Sequence, residues 1–157
     1  MNPLPTVSVI VPVFNSAHTI RASIESLLVQ TLNNIEIVIV NDASTDATAK
    51  IIDQLVEEND CIVPIHLASN QGAHEARMAG LKMAKAPWIG FFDADDFARP
   101  NMYEKLLSTA MTNDADIVIC GVRNVTPSRK RIGARVKFPR SERINNDVFE
   151  RFCSLEF

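Results

Sequence analysis

Three carboxylates, Asp93, Asp95 and Asp96, come directly after an apolar run, Trp88-Ile89-Gly90-Phe91-Phe92, with only Ala94 interrupting them. The run reads as a buried strand, and a strand of an open α/β sheet delivers the residues after it to the carboxyl edge, where ligands bind. Two carboxylates about 5 Å apart repel by roughly 3 kcal/mol at an effective dielectric near 20, so three in one turn need a cation or full solvation. Mg²⁺ or Mn²⁺ is the simplest such cation. Sites of that kind use one or two carboxylates and complete the shell with water and a substrate phosphate. The plainer reading is an acidic turn facing water, with Asp96 or a neighbour capping the next helix.

Whatever the turn does, other elements must position it. Residues 7–11 form a β-branched run between Pro5 and Pro12, the pattern of a central strand. Asn15 or Ser16 can cap a following helix in which Ile20, Ile24, Leu27, Leu28 and Thr31 recur at helical spacing. The grammar then repeats. Residues 36–40 make a second strand, residues 41–46 a polar turn, and Ser44 or Thr45 a cap for a helix carrying Ile51, Ile52, Leu55 and Val56. A third strand over residues 62–67 contains Pro64, which places it at a sheet edge or interrupts it. After the turn at 68–72, a helix over 73–85 carries Ala73, Ala76, Ala79 and Gly80, small enough for close packing on a sheet, and Pro87 ends it.

Beyond the carboxylates, Arg99-Pro100 opens a helix with Met102, Leu106, Leu107 and Ala110 inward, and residues 117–120 read as a fifth strand that continues into residues 121–125. Residues 125–139 read as a basic loop, and Asn145-Asn146-Asp147 as the cap of a last short helix. This alternation predicts an α/β fold with a mostly parallel sheet and helices on both faces. We expect an α/β region over 1–120, continued by 121–157 within the same domain.

Composition narrows the classes. With 157 residues and 46% hydrophobic content the chain can bury one substantial core. No apolar run approaches a membrane span and no signal peptide is visible, so a cytoplasmic location is expected. Cys61, Cys120 and Cys153 lack a metal or disulfide spacing. His18, His66 and His74 are isolated, which argues against catalytic roles. Residues 1–120 carry −8 and residues 121–157 carry +5. The basic tail can meet a phosphate-rich ligand or an anionic membrane face, or simply be solvated; without interleaved aromatics it does not read as a nucleic-acid site. Neither Gly-x-Gly-x-x-Gly nor Gly-Lys-Ser/Thr occurs, which removes the main support for dinucleotide and P-loop chemistry.

Four stretches taken together resemble the nucleotide-sugar half of the family-2 glycosyltransferases with the GT-A fold. They are residues 7–15, residues 36–46, Asn70-Gln71-Gly72 with Ala76-Arg77 and Gly80-Leu81, and residues 88–96 with Pro100. The resemblance covers about the first two thirds of the chain. It implies a Rossmann-like, mostly parallel sheet, a nucleotide-diphospho-sugar donor with a UDP-sugar favoured, Mn²⁺ or Mg²⁺, and inverting transfer to a glycan or lipid-linked acceptor.

Residue by residue, it implies that Pro12, Phe14 and Asn15 line the nucleobase pocket and that Asp42 reads the base edge, a helix-entry cap being the plainer role. Asn70 and Gly72 join the donor site, and Arg77 lies near the phosphates. Asp93, with Ala94 beside it, meets the ribose, Asp95 holds the metal and Asp96 stands behind it. No match to the family's catalytic base is found, so the base is expected beyond residue 157 and the chain to be an incomplete enzyme. Two alternatives remain: a haloacid-dehalogenase-like phosphatase, which also carries Asp-x-Asp after a strand, and a non-catalytic nucleotide-sugar-binding module.

Overall fold

The computed structural model describes residues 4–126. Its strands are β1 (Val7–Val13), β2 (Ile35–Asn41), β3 (Ile62–His66) and β4 (Trp88–Phe91), and its helices α1 (Ile20–Leu28), α2 (Thr48–Glu58), α3 (Gly72–Met83) and α4 (Met102–Asn113). The four strands form one sheet in the order β3-β2-β1-β4, with every pairing parallel. The chain winds outward from β1 to β3, then crosses back over the sheet through α3 and enters on the far side of β1 as β4. That reversal is a switch point, and it opens a crevice at the carboxyl ends of β1 and β4.

β1 and β2 are apolar on both faces because both faces are covered. On one side Ile10, Val38 and Val40 pack against Ala76 of α3. The approach there is close: a Cβ on Gly80 would lie 2.5 Å from Ile10 Cγ2 and 3.2 Å from Val40 Cγ2. The alternate residues Val9, Val11, Ile37 and Ile39 are fully buried on the opposite face, together with Ile20, Ile24 and Leu27 of α1 and Ile52 and Leu55 of α2. Pro12 sits inside β1 and does not end it. Val13 O accepts Asp42 N–H on the β2 side, so Pro12, one residue out of phase, turns its missing donor toward β4, whose pairing has stopped at Phe91.

Pro64 lies in β3, which among the described residues is an edge strand paired only with β2, as its sequence anticipated. Other expectations are corrected. Among the described residues β4 is an edge strand and not a buried one: β1 alone flanks it there, and Ile89 and Phe91 are exposed. Thr31 is exposed and joins the turn before α4 in place of the α1 core. Residues 117–120 are not a strand; Ile117 and Ile119 are exposed, and no ladder partner exists for them among the described residues. Strand propensity alone makes no strand without a neighbouring row of backbone donors and acceptors.

None of the expected caps at Asn15, Ser16, Ser44 or Thr45 forms: α1 and α2 start later, behind Thr19 and Ala47. α3 ends at Met83, ahead of Pro87, and α4 starts two residues after Pro100. The chain divides into compact units of residues 1–104 and 105–157. The short helix after residue 145 lies outside the described residues, and among those described no helix is long and apolar enough to cross a membrane.

Candidate functional site

A cleft of about 240 Å³ lies at the carboxyl edge of the sheet. It is lined by Pro12, Val13, Phe14 and Ser16 after β1, Asp42 after β2, Ala73, Ala76 and Arg77 on α3, and Asp93, Ala94 and Asp95 after β4. Seven of the ten residues singled out from the sequence therefore share one wall-to-wall space: Pro12, Phe14, Asp42, Arg77, Asp93, Ala94 and Asp95. Asn15, Asn70 and Gly72 do not line it. They stand behind it and fix its shape.

The β1 and β2 loops are stitched together by side chains whose types look decorative in the sequence. Asn15 N–H donates to Ser44 Oγ (2.9 Å), Ser16 N–H to Thr48 Oγ1 (2.8 Å) and Ala17 N–H to Asp46 Oδ2 (3.1 Å). In return Asn15 Oδ1 accepts Thr45 N–H at 2.8 Å. Asn15 and Ala43 both adopt the left-handed backbone region, with φ of 48° and 55°. For an alanine that conformation costs about 1–2 kcal/mol, so the stitching holds the loop in a shape its backbone would otherwise leave. Asp46 accepts bonds from Thr48, which hold its carboxyl below the usual range. Asn41, buried at the end of β2, accepts Ser44 N–H (3.0 Å) and faces His66 Nδ1 (3.0 Å), while His66 Nε2 meets Asp53 at 3.3 Å. His66 is thus committed to holding this loop.

Asp42 is 3% exposed, and both of its oxygens are engaged: Oδ1 accepts Gln71 N–H and Oδ2 accepts Gly72 N–H, each at 2.8 Å. The helix-cap reading of Asp42 is therefore real, but the helix is α3, reached across the sheet edge, and not the one next to it in sequence. A carboxylate there also meets the positive end of the α3 dipole. Asn70 Nδ2 donates to Asp42 O at 3.3 Å, and Gly72, at φ 87°, supplies the left-handed turn that aims the two N–H groups. Those two N–H groups are therefore not available to a phosphate. Each Asp42 oxygen retains a second lone pair.

On the far wall, Arg77 Nη2 pairs with Asp93 Oδ1 at 2.8 Å. Asp95 and Asp96 make no ion pair among the described residues. The surplus charge registers on Asp96: partial burial, then Asp95, then Asp93, push its carboxyl above the usual range. For a divalent ion this donor set fits one arrangement only. No group of three or more His, Cys, Asp or Glu converges among the described residues, so there is no all-protein cage. Asp95, an exposed carboxylate lining the cleft and outside the Arg77–Asp93 pair, matches an ion completed by water and a ligand's phosphates.

Residues 8–153 match the model of glycosyl transferase family 2. The chain belongs to that family. Among curated relatives, this family-2 chain is 39% identical over 127 residues to the uncharacterized glycosyltransferase EpsJ of Bacillus subtilis, covering 81% of the chain and 37% of the relative. Among solved structures it resembles S. aureus TarS 1–349 in complex with UDP-GlcNAc, with TM-score 0.64, 28% identity and coverage of 69% of the chain and 32% of the neighbour. It also resembles the mannosyltransferase PcManGT of Pyrobaculum calidifontis in complex with GDP-Man and Mn²⁺, with TM-score 0.60, 26% identity and coverage of 82% and 37%. The chain thus spans little more than a third of the curated relative's length. The parallel α/β sheet is that of these GT-A-like neighbours. Membership removes the phosphatase alternative.

The sequence reading of this glycosyltransferase domain missed Val13, Ser16, Ala73 and Ala76 as cleft walls. It also missed Ser23 and Ser26 on α1 and Gln30 just past its end, which bond to the segment carrying the carboxylates. The available signal was two serines on an otherwise apolar helix face, and buried hydroxyls are rarely left without a polar partner.

Proposed function

We propose that this chain is the donor-binding part of a glycosyltransferase, holding a nucleotide-diphospho-sugar, most simply a UDP-sugar, in the cleft at the switch point. The observation that carries the reading is convergence: an exposed aromatic, Phe14, a buried carboxylate, Asp42, a cation, Arg77, and the acidic pair Asp93 and Asp95 meet in one space from four segments far apart in sequence. Phe14 offers a flat apolar face to a base, and Asp42, an acceptor only, pairs with an N–H on a base edge. Asp93, steadied by Arg77, accepts from ribose hydroxyls, and Arg77 contributes positive charge beside the phosphates.

Asp95 is the proposed ligand for Mn²⁺ or Mg²⁺, and a bound ion would neutralise charge building on the departing diphosphate. Transfer with inversion requires a base to take the acceptor's proton, which we place outside residues 4–126. The acceptor is proposed to be a glycan or lipid-linked sugar. The working location is taken as the cytoplasm, with the basic tail as a candidate contact for an anionic membrane face.

A thermal-shift panel of UDP- and GDP-sugars with Mn²⁺ tests the reading. A ligand at about 100 times its Kd stabilises a folded chain by about 2.7 kcal/mol, so a true donor raises Tm measurably. No shift with any nucleotide diphosphate would refute it.

A further inference from the structure

Between the end of β4 and the start of α4 the chain has no regular element, yet this stretch carries all three carboxylates. Its last ladder-like bond is Phe92 N–H to Ile10 O at 3.1 Å. Left to itself, a segment bearing several like charges spreads, because extension lowers the repulsion. α1 and the residue pair after it supply the restraint. Ser26 Oγ accepts Ala98 N–H at 3.0 Å while donating its own proton to Ser23 O at 2.6 Å. Ser23 Oγ donates to Asp93 O at 3.3 Å.

Gln30 then works both ways: Nε2 donates to Arg99 O at 2.7 Å, and Oε1 accepts Tyr103 N–H at 3.0 Å. Ser23 and Ser26, three residues apart, share one side of α1, and Gln30 follows four residues on, just past the helix end. Polar groups buried there destabilise the fold unless their bonds are made. Each of them spends its bonds on the backbone of residues 93–103 or on the bond network that reaches it.

We infer that Ser26 and Gln30 are positioning residues for the acidic turn: by pinning residues 98–103 to α1 they set where the Asp95 carboxylate stands relative to Arg77 and Asp42. They touch neither ligand nor ion themselves. The inference rests on the donor-binding function proposed above, and specifically on Asp95 acting through a metal.

The test is calorimetry of UDP binding to the full 157-residue chain, once with Mn²⁺ and once with a chelator. In Ser26→Ala and Gln30→Ala, the tightening of UDP by Mn²⁺ is expected to shrink about tenfold, the equivalent of one hydrogen bond lost from the support. Affinity with the chelator should stay within about twofold. Ser26→Thr, which keeps a hydroxyl, should restore most of the Mn²⁺ effect. Ser8→Ala serves as the control for general destabilisation, since Ser8 is buried at the opposite end of the sheet bonded to Glu36 at 2.7 Å; it should lower Tm and leave the split untouched.

If Ser26→Ala fails to fold, the half-buried Gln30 carries the test alone. Unchanged Mn²⁺ tightening in the Ser26 and Gln30 variants, or equal losses with ion and chelator, would overturn the positioning role while leaving the donor site standing. A wild-type chain that binds UDP equally with and without Mn²⁺ would overturn the metal reading and this inference together.

Discussion

Asp42→Asn separates architecture from recognition more cleanly than any other single change. The substitution keeps shape and volume but leaves one acceptor where there were two, and it turns an amide NH₂ toward a backbone N–H. In the native chain the carboxylate accepts Gln71 N–H and Gly72 N–H at 2.8 Å each, and it is 3% exposed. A hydrogen bond to a charged group contributes about 1.5–3 kcal/mol, and an unsatisfied buried donor costs about 1–3 kcal/mol. Losing one bond and weakening the other therefore costs on the order of 2–4 kcal/mol, a large share of the 5–15 kcal/mol typical of a domain. Urea unfolding without ligand should show the loss as a lower midpoint at unchanged slope, and Tm should fall by on the order of 5–15 °C. The same variant should bind UDP more weakly while keeping its response to Mn²⁺. A midpoint within about 0.5 kcal/mol of wild type would refute the claim that Asp42 ties α3 to the end of β2.

Further outcomes rest on packing and charge. Gly80→Ala gains about 1 kcal/mol of helix propensity but drives a methyl to 2.5 Å from Ile10 Cγ2, so a net destabilisation of about 1–2 kcal/mol is expected by urea unfolding. A neutral or stabilising result would mean that α3 sits farther from the sheet. Asp96 has its folded-state carboxyl raised by partial burial and by Asp95 and Asp93, so it favours the folded chain while protonated and opposes it once ionised. Asp96→Asn should therefore raise Tm at neutral pH, and the two proteins should converge as pH falls below the ordinary carboxylate range near about 3.9. An advantage that persists unchanged in acid would remove the electrostatic explanation. Asp46 runs the other way: its lowered carboxyl supports folding above the unfolded-state range and ceases to as pH falls through the folded value, so Asp46→Asn should flatten the acid limb of a Tm profile.

The strand and helix order was legible in the sequence because β1 and β2 are buried on both faces and their apolar runs leave little ambiguity. The carboxyl-edge loops could be named for the same reason, and seven named residues do share the cleft. What escaped was pairing across the sheet edge. Asp42 capping α3 depends on a loop far along the chain, and Asn15 bonding Thr45 depends on two loops lying side by side; neither leaves a local pattern. β4 differs from its expectation for a related reason: Ile89 and Phe91 look like core, and only the strand order shows that one side of β4 has no neighbour among the described residues. Residues 117–120 carry strand-forming side chains, but pairing is a property of two segments and one segment's composition does not reveal it.

Donor binding as proposed depends on Asp95 holding an ion which in turn holds a diphosphate. Isothermal calorimetry of UDP on wild type and Asp95→Ala, each with Mn²⁺ and with chelator, measures it directly. Wild type should bind about tenfold or more tightly with Mn²⁺ than with chelator, equivalent to ~1.4 kcal/mol or more, and Asp95→Ala should bind equally in both. Retention of the Mn²⁺ effect in Asp95→Ala, or its absence in wild type, would contradict the claim.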